Sequence, residues 1–262
     1  MPEGDTVWRT ARRLHLALAG RELTRTDLRW PSLATVDLTG RTTLEVVARG
    51  KHLLHRIEGG LTLHSHLRME GSWRVHPAPG PRRVPSTTRA VVASTEFVAV
   101  GTSLGMLDLA DTRAEDDLVG HLGPDLLGPD WDRDRAMAGY AAAGSRPLGE
   151  ALLDQRIAAG IGTMYAAESL FLRRVSPWTT VAELTTDQLW RVVDTARQAL
   201  LVNCARAVQR TTPDTMRELK WVHGRADRPC LNCGTPIRVD PIGAAPTDRV
   251  MFHCPVCQPR TS

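Results

Sequence analysis

Apolar and polar residues alternate along RTTLEVVARGKHLLHRIEGGLTLHSHLRMEGSWRV, residues 41–75, and again along RAVVASTEFVAVGTSLGMLDLA, residues 89–110. A period of two predicts strands, and Gly59-Gly60 marks a hairpin turn within the first stretch. The proline-rich HPAPGPRRVP between them reads as a loop. Ahead of the strands, MPEGDTVWRTARRL predicts a helix, so residues 1–110 read as a β unit, a sandwich or barrel, closed by its first helix. Residues 111–134 are acidic, and GHLGPDLLGPDWD supplies two Gly-Pro breaks, the mark of a linker. Beyond it the pattern turns helical over residues 135–222. Pro147 suits the first turn of a helix through LGEALLDQRIA, GIG interrupts, TMYAAESLFLRR resumes, and Pro177 ends that segment. Thr185 and Gln188 have capping-box spacing ahead of the long run LWRVVDTARQALLVNCARAV. Residues 223–262 form a turn-rich module with four cysteines. The fold class is therefore multi-domain α+β: a helix with a β-sandwich, a helical domain, and a C-terminal finger.

Composition narrows the picture. The 262 residues are 42% hydrophobic, enough for one large or several small cores. No run of eighteen apolar residues exists, which predicts no membrane span. The first thirty residues lack an unbroken apolar core and are not read as a secretion signal. Five cysteines, four of them near the C-terminus, do not form a disulfide framework and point to a reducing cytoplasm. The net charge of +4 is unevenly spread. Residues 1–109 carry 15 Lys/Arg against 10 Asp/Glu, residues 110–205 carry 9 against 14, and residues 206–262 carry 9 against 5. Two basic ends around an acidic middle suggest a polyanion held by the terminal modules.

Cys230, Cys233, Cys254 and Cys257 form two C-x2-C pairs separated by twenty residues. Four soft thiolates on two tight turns suit one structural Zn2+ ion with its coordination closed. With no position left for a catalytic water, the metal props up a hairpin, and the hairpin's side chains carry any function. Arg249 lies on that hairpin. His253 reads as an ordinary strand residue, and Cys204, in a helical run, as a small core residue.

In LLDQRIAAGIGTMYAAESLF two helices flank Gly160-x-Gly162, where backbone N–H groups at a helix start suit a phosphate. A polypeptide beginning Pro-Glu is by itself unremarkable. In combination, PEGDTV at the start, ARGKHLL around Lys51, the helix-two-turn-helix passage, and PCLNCGTPI with CPVCQ resemble the formamidopyrimidine-DNA glycosylase and endonuclease VIII family of base-excision repair enzymes, over nearly the whole chain.

The resemblance implies a bifunctional DNA glycosylase and abasic-site lyase acting on damaged DNA. Pro2, exposed by removal of the initiator methionine, would be the nucleophile on the sugar C1′, forming a Schiff base. Its α-amino group, with a reference pKa of about 7.7–8.0, is partly neutral at physiological pH. Glu3 would be the acid/base partner, Lys51 would contact phosphate and assist β-elimination, and Arg249 would grip phosphate and serve δ-elimination. Met69, in HSHLRMEGSW, matches the residue that fills the gap left by an extruded base. Gly160, Gly162 and Thr163 would contact the DNA backbone.

The pattern departs from the family in three places. Thr163 stands where asparagine is usual. AVGTSLGMLDL lacks the Arg-x-Phe-like element of the purine-specific members. Only RTTPDTMRELKWVHGR separates the last long helix from the finger, where purine enzymes carry a longer insertion. The short segment and the PEG start place the chain nearer actinobacterial-type endonuclease VIII and oxidised pyrimidines. A purine-directed formamidopyrimidine/8-oxoguanine glycosylase and a non-catalytic zinc-dependent DNA-damage-binding protein are the alternatives. The expected protein is a cytoplasmic, nucleoid-associated monomer.

Overall fold

An amphipathic helix, Gly4–Leu18 (α1), opens the chain and buries Val7, Ala11, Leu14 and Leu18 along one face. It is part of the first of two compact units, Met1–His121 and Leu122–Ser262, into which the chain divides. The computed structural model describes residues 2–260.

In the first unit eight strands follow: Arg25–Leu28 (β1), Thr43–Arg49 (β2), His52–Ile57 (β3), Leu61–His66 (β4), Ser72–Pro77 (β5), Thr88–Ala93 (β6), Phe97–Thr102 (β7) and Met106–Asp111 (β8). They form two antiparallel four-stranded sheets, ordered β1-β6-β7-β5 and β2-β3-β4-β8. The alternation read from the sequence sets which side chains enter the core. Leu53 and Ile57 of β3, Leu63 of β4, Trp73 of β5 and Ala99 of β7 share one cluster with α1. The Trp73 indole N–H donates to Ser65 Oγ of the other sheet at 3.2 Å, giving a buried donor the partner it needs. Gly59-Gly60 does turn β3 into β4. Among the elements that went unread are β1, only four residues long, and a 3-10 turn at Pro31–Leu33. A short helix, Glu115–Val119 (α2), follows the strands. Glu115 ties it to the sheet by accepting from Arg56, which also pairs with Glu45.

The second unit holds Arg133–Ala142 (α3), Leu148–Leu153 (α4), Thr163–Leu172 (α5) and Thr186–Asn203 (α6), then the hairpin Arg238–Ile242 (β9) and Arg249–His253 (β10). The capping box at Thr185 and Gln188 is present, with Gln188 N–H on Thr185 Oγ1 at 3.2 Å. Two helices stop short of their sequence patterns. The α4 helix ends at Leu153, not within DQRIA, because the Asp154 carboxylate accepts from Arg156 N–H and pairs with Arg146 and Arg156 in a competing turn. The α6 helix ends at Asn203, whose side chain accepts from Arg210 N–H and donates to the carbonyls of Ala199 and Arg210. Ile237, Ile242 and Met251 of the hairpin share one core with the helices. Gly149 makes that packing possible, since a Cβ there would lie 2.7 Å from Ile242 Cδ1. No helix among the described residues is long and apolar enough to cross a membrane.

Candidate active site and metal centre

Pro2 is half-buried and lies one residue before the N-cap of α1, two positions ahead of Gly4. Glu3 is the helix N-cap: its carbonyl accepts from the N–H groups of Thr6 and Val7, both at 3.0 Å, while its side chain makes no capping bond. The residue is nonetheless 0% exposed. Burying a carboxylate costs free energy, and helix capping gains nothing from it here. Asp5, the acidic residue of the first turn, is engaged instead with Arg9 at 3.4 Å. The start of α1 thus places a buried carboxyl group next to the proline.

Lys51 sits at the tip of the β2–β3 hairpin. Arg49 pairs with His52, leaving a two-residue turn of Gly50 and Lys51. Gly50 adopts φ +58°, which glycine reaches without steric cost, so the turn chemistry itself puts the lysine at the apex. Met69 lies in the β4–β5 turn, closed by Gly71 N–H on the Leu67 carbonyl at 2.9 Å. It is 62% exposed, conspicuous for a large apolar side chain.

Sequence reading missed the histidines beside Lys51. His52 on β3 is the register partner of His66 on β4, and His64 lies two residues back on the same face. His52 Nδ1 and His64 Nε2 are 2.8 Å apart, and the His66 ring meets His52 edge-on at 4.8 Å. Burial pushes His52 down to about 3 and His66 to about 4, with the surrounding cationic groups adding to the effect. These imidazoles are therefore neutral at pH 7. The signal for them was present in the alternation of LTLHSH.

In the second unit, the turn between α4 and α5 is held by Gln155. Its amide donates to the carbonyls of Leu153 and Ile161, both at 2.9 Å, and accepts from Gly160 N–H at 3.1 Å. Gly160 takes φ +116°, outside the range of ordinary L residues, and Gly162 is the N-cap of α5. Thr163 is the first helical residue. The structure brings Gly160, Gly162 and Thr163 together and buries all three. Gln155 and the buried Glu168 of α5 were not singled out from sequence, because all but one of the partners named for them are main-chain groups that no side-chain motif records.

The four cysteine sulfurs lie within 4.8 Å of one another, an arrangement able to hold a metal ion. Main-chain N–H groups of Asn232 and Cys257 point at Cys230 Sγ and Cys254 Sγ, each at 3.4 Å, as donors supporting thiolates do. Hydrogen bonds from Thr235 bring the Cys233 thiol down to about 6, whereas burial pushes Cys254 up to about 12. A bound cation supplies the charge that favours the thiolate at such a buried position. Gln258, after the last cysteine, accepts from Cys254 N–H at 3.0 Å and donates to the Val175 carbonyl at 2.9 Å, joining the cysteine turn to the segment behind α5. His253, beside Cys254, bonds Asp240 at 2.9 Å within the hairpin. Cys204 is partly buried just beyond α6. Arg249 opens β10; it is exposed and donates to the carbonyls of Thr247 and Asp248 at 3.0 and 3.1 Å.

Residues 1–115 match the model of the formamidopyrimidine-DNA glycosylase N-terminal domain, and residues 122–214 that of the formamidopyrimidine-DNA glycosylase H2TH domain. A probable endonuclease 8 2 of Streptomyces coelicolor is 54% identical, the alignment covering 98% of this chain and 94% of the relative. A DNA-(apurinic or apyrimidinic site) lyase of Mycolicibacterium smegmatis is 47% identical, covering 98% and 99%. Among solved structures, the MutM (Fpg) protein of Thermus thermophilus superposes with a TM-score of 0.76 at 30% identity, over 100% of both chains. A Lactococcus lactis glycosylase bound to abasic-site DNA reaches 0.80 at 23% identity, covering 99% of this chain and 100% of that one, a likeness of fold.

Proposed function

Since the chain belongs to the formamidopyrimidine-DNA glycosylase and endonuclease VIII family, we propose that it is a bifunctional DNA glycosylase and abasic-site lyase of base-excision repair, using Pro2 as nucleophile. One observation supports the assignment of chemistry above the rest: the proline is followed by a fully buried glutamate whose side chain makes no capping bond to the helix.

With Met1 removed, the Pro2 nitrogen attacks C1′ of the damaged nucleotide, the C1′–base bond breaks, and the base leaves carrying the proton that the amine gives up. Glu3 protonates the sugar ring oxygen, the ring opens, and C1′ is left as an iminium bonded to the proline. The iminium acidifies the C2′ proton; its loss expels the 3′ phosphate by β-elimination. Lys51, at the hairpin apex, binds phosphate through this step. The neutral state of His52 and His66 leaves the positive charge of that corner to Lys51 and Arg68. Met69 enters the stack as the base leaves, which its exposure in the free protein permits.

The backbone at the start of α5, with Gly160, Gly162 and Thr163, and Arg249 of the hairpin take backbone phosphates, Arg249 leaving its own turn carbonyls to do so. The ion held by the four cysteines is zinc, supported by the all-thiolate donor set, and its role is structural. Oxidised pyrimidines are the substrates, a reading supported by the endonuclease 8 relatives and by the short segment between α6 and the finger. One chain acts per lesion, in the compartment that holds chromosomal DNA.

Borohydride trapping on a duplex with an oxidised pyrimidine tests the assignment. The mature protein gives a covalent adduct and Pro2→Gly gives none; normal trapping by the variant overturns the proline. Wild-type binding to abasic DNA with neither adduct nor nick would instead identify a non-catalytic damage-binding protein. Stronger cleavage of an oxidised-guanine duplex would move the substrate class to purines.

A further inference from the structure

The sheet β1-β6-β7-β5 has an outer face that the reaction does not use. Val91, Val98 and Val100 on that face pack against Ala78 and Val84 of the proline-rich loop, so the loop is fastened to the sheet by its own apolar cluster. Beside this cluster is a cavity of about 280 Å³ lined by Arg74 and His76 of β5, Thr102 of β7, and Arg83 and Thr87 of the loop. No acidic residue lines it. Among the described residues, neither Arg74 nor Arg83 forms an ion pair. Both guanidinium groups are exposed at the cavity, where they concentrate positive charge with no acidic side chain to offset it. Such a rim attracts an anion.

The position of the cavity narrows the choice. Arg74 lies five residues beyond Met69, so the Cα atoms of the two are at most about 17 Å apart. That span is about five base-pair steps of a duplex. We propose that this cavity is a phosphodiester-binding site, taking a DNA backbone phosphate a few nucleotides from the lesion, between the Arg74 and Arg83 forks and the hydroxyls of Thr87 and Thr102. Planar guanidinium forks suit phosphate oxygens, and such a contact positions the duplex without reading its sequence. The assignment rests on the DNA-repair reading above, in which Met69 faces the lesion.

The test is the salt dependence of binding to a duplex carrying a stable abasic-site analogue. Each lost phosphate contact lowers the slope of log K against log salt by about 0.9. Arg74→Gln and Arg83→Gln should therefore flatten the slope. Trimming the duplex to about three base pairs on each side of the lesion should erase the difference between wild type and the double variant. An unchanged slope in the double variant on the long duplex, with wild type binding and trapping normally, overturns the cavity assignment alone. Failure of wild type itself to bind or trap strikes the underlying reading. Inorganic phosphate lost by the double variant while its DNA slope stays intact identifies a small-anion site and also overturns the proposal.

Discussion

The Glu168 carboxylate accepts the main-chain N–H of Val222 at 2.8 Å. It does the same for Trp221 and His223, each at 2.8 Å, and takes the Thr211 hydroxyl as well. One side chain, 1% exposed, thereby fixes the return of the chain from α6 toward the cysteine hairpin onto the helix that begins at the Gly160 turn.

Glu168→Gln leaves a single acceptor oxygen and turns an NH2 group toward main-chain donors. At least one buried N–H then goes unsatisfied, at a cost of about 1–3 kcal/mol. The thermal midpoint should fall by about 2–4 °C for each kcal/mol, and Glu168→Ala should fall further. A melting curve unchanged in both variants would show that these bonds contribute nothing net.

Met69→Ala should leave stability within about 0.5 kcal/mol of wild type, because the side chain is exposed in the free protein. Excision from a paired duplex should slow, while cleavage of a preformed abasic site, which has no base to extrude, should be much less affected. Equal loss on both substrates in single-turnover assays contradicts the wedge role.

Burial holds His55 at about 4 and His52 at about 3, below the ordinary value of 6.5. Below pH 6.5 the unfolded chain binds protons that the folded chain refuses. Their contribution to stability is therefore present above pH 6.5 and is lost as pH falls toward 4. Denaturant midpoints measured from pH 7 to pH 4.5 should decline. His55→Gln, which preserves a polar partner for Thr43, should flatten the decline by up to about 1.4 kcal/mol per pH unit. A decline equally steep in His55→Gln would mean that His55 titrates normally.

Elemental analysis should find one zinc per chain, released by chelator or by Cys254→Ser. Because Ile237, Ile242 and Met251 belong to the helical core, ion loss should raise hydrogen exchange in α5 as well as in β10. Exchange confined to the cysteine turns would show that the hairpin packing stands without the metal.

Short-range patterns were legible. The β3–β4 turn at Gly59-Gly60, the capping box at Thr185 and each of the two C-x2-C pairs depend on residues a few positions apart, and each is present in the structure. Helix ends were read too long at DQRIA and at CARAV. There the carboxylate of Asp154 and the amide of Asn203 offer the backbone a competing set of bonds. Local competition of that kind leaves the apolar period intact, so the period alone overruns it.

By itself the sequence determined which residue types stand at the N-terminus, at the hairpin apex and at the cysteine turns, and so which chemistry the chain can carry. Only the tertiary structure decided that Glu3 is withdrawn from water, that His52 lies against His64 and that Glu168 holds three main-chain donors. The difference has a physical cause. Turn and capping chemistry acts over a few residues and leaves its mark in residue identity. Burial and main-chain hydrogen bonding across 54 residues, as from Glu168 to Val222, depend on how elements pack, and a donor common to nearly every residue leaves no mark in the order of side chains.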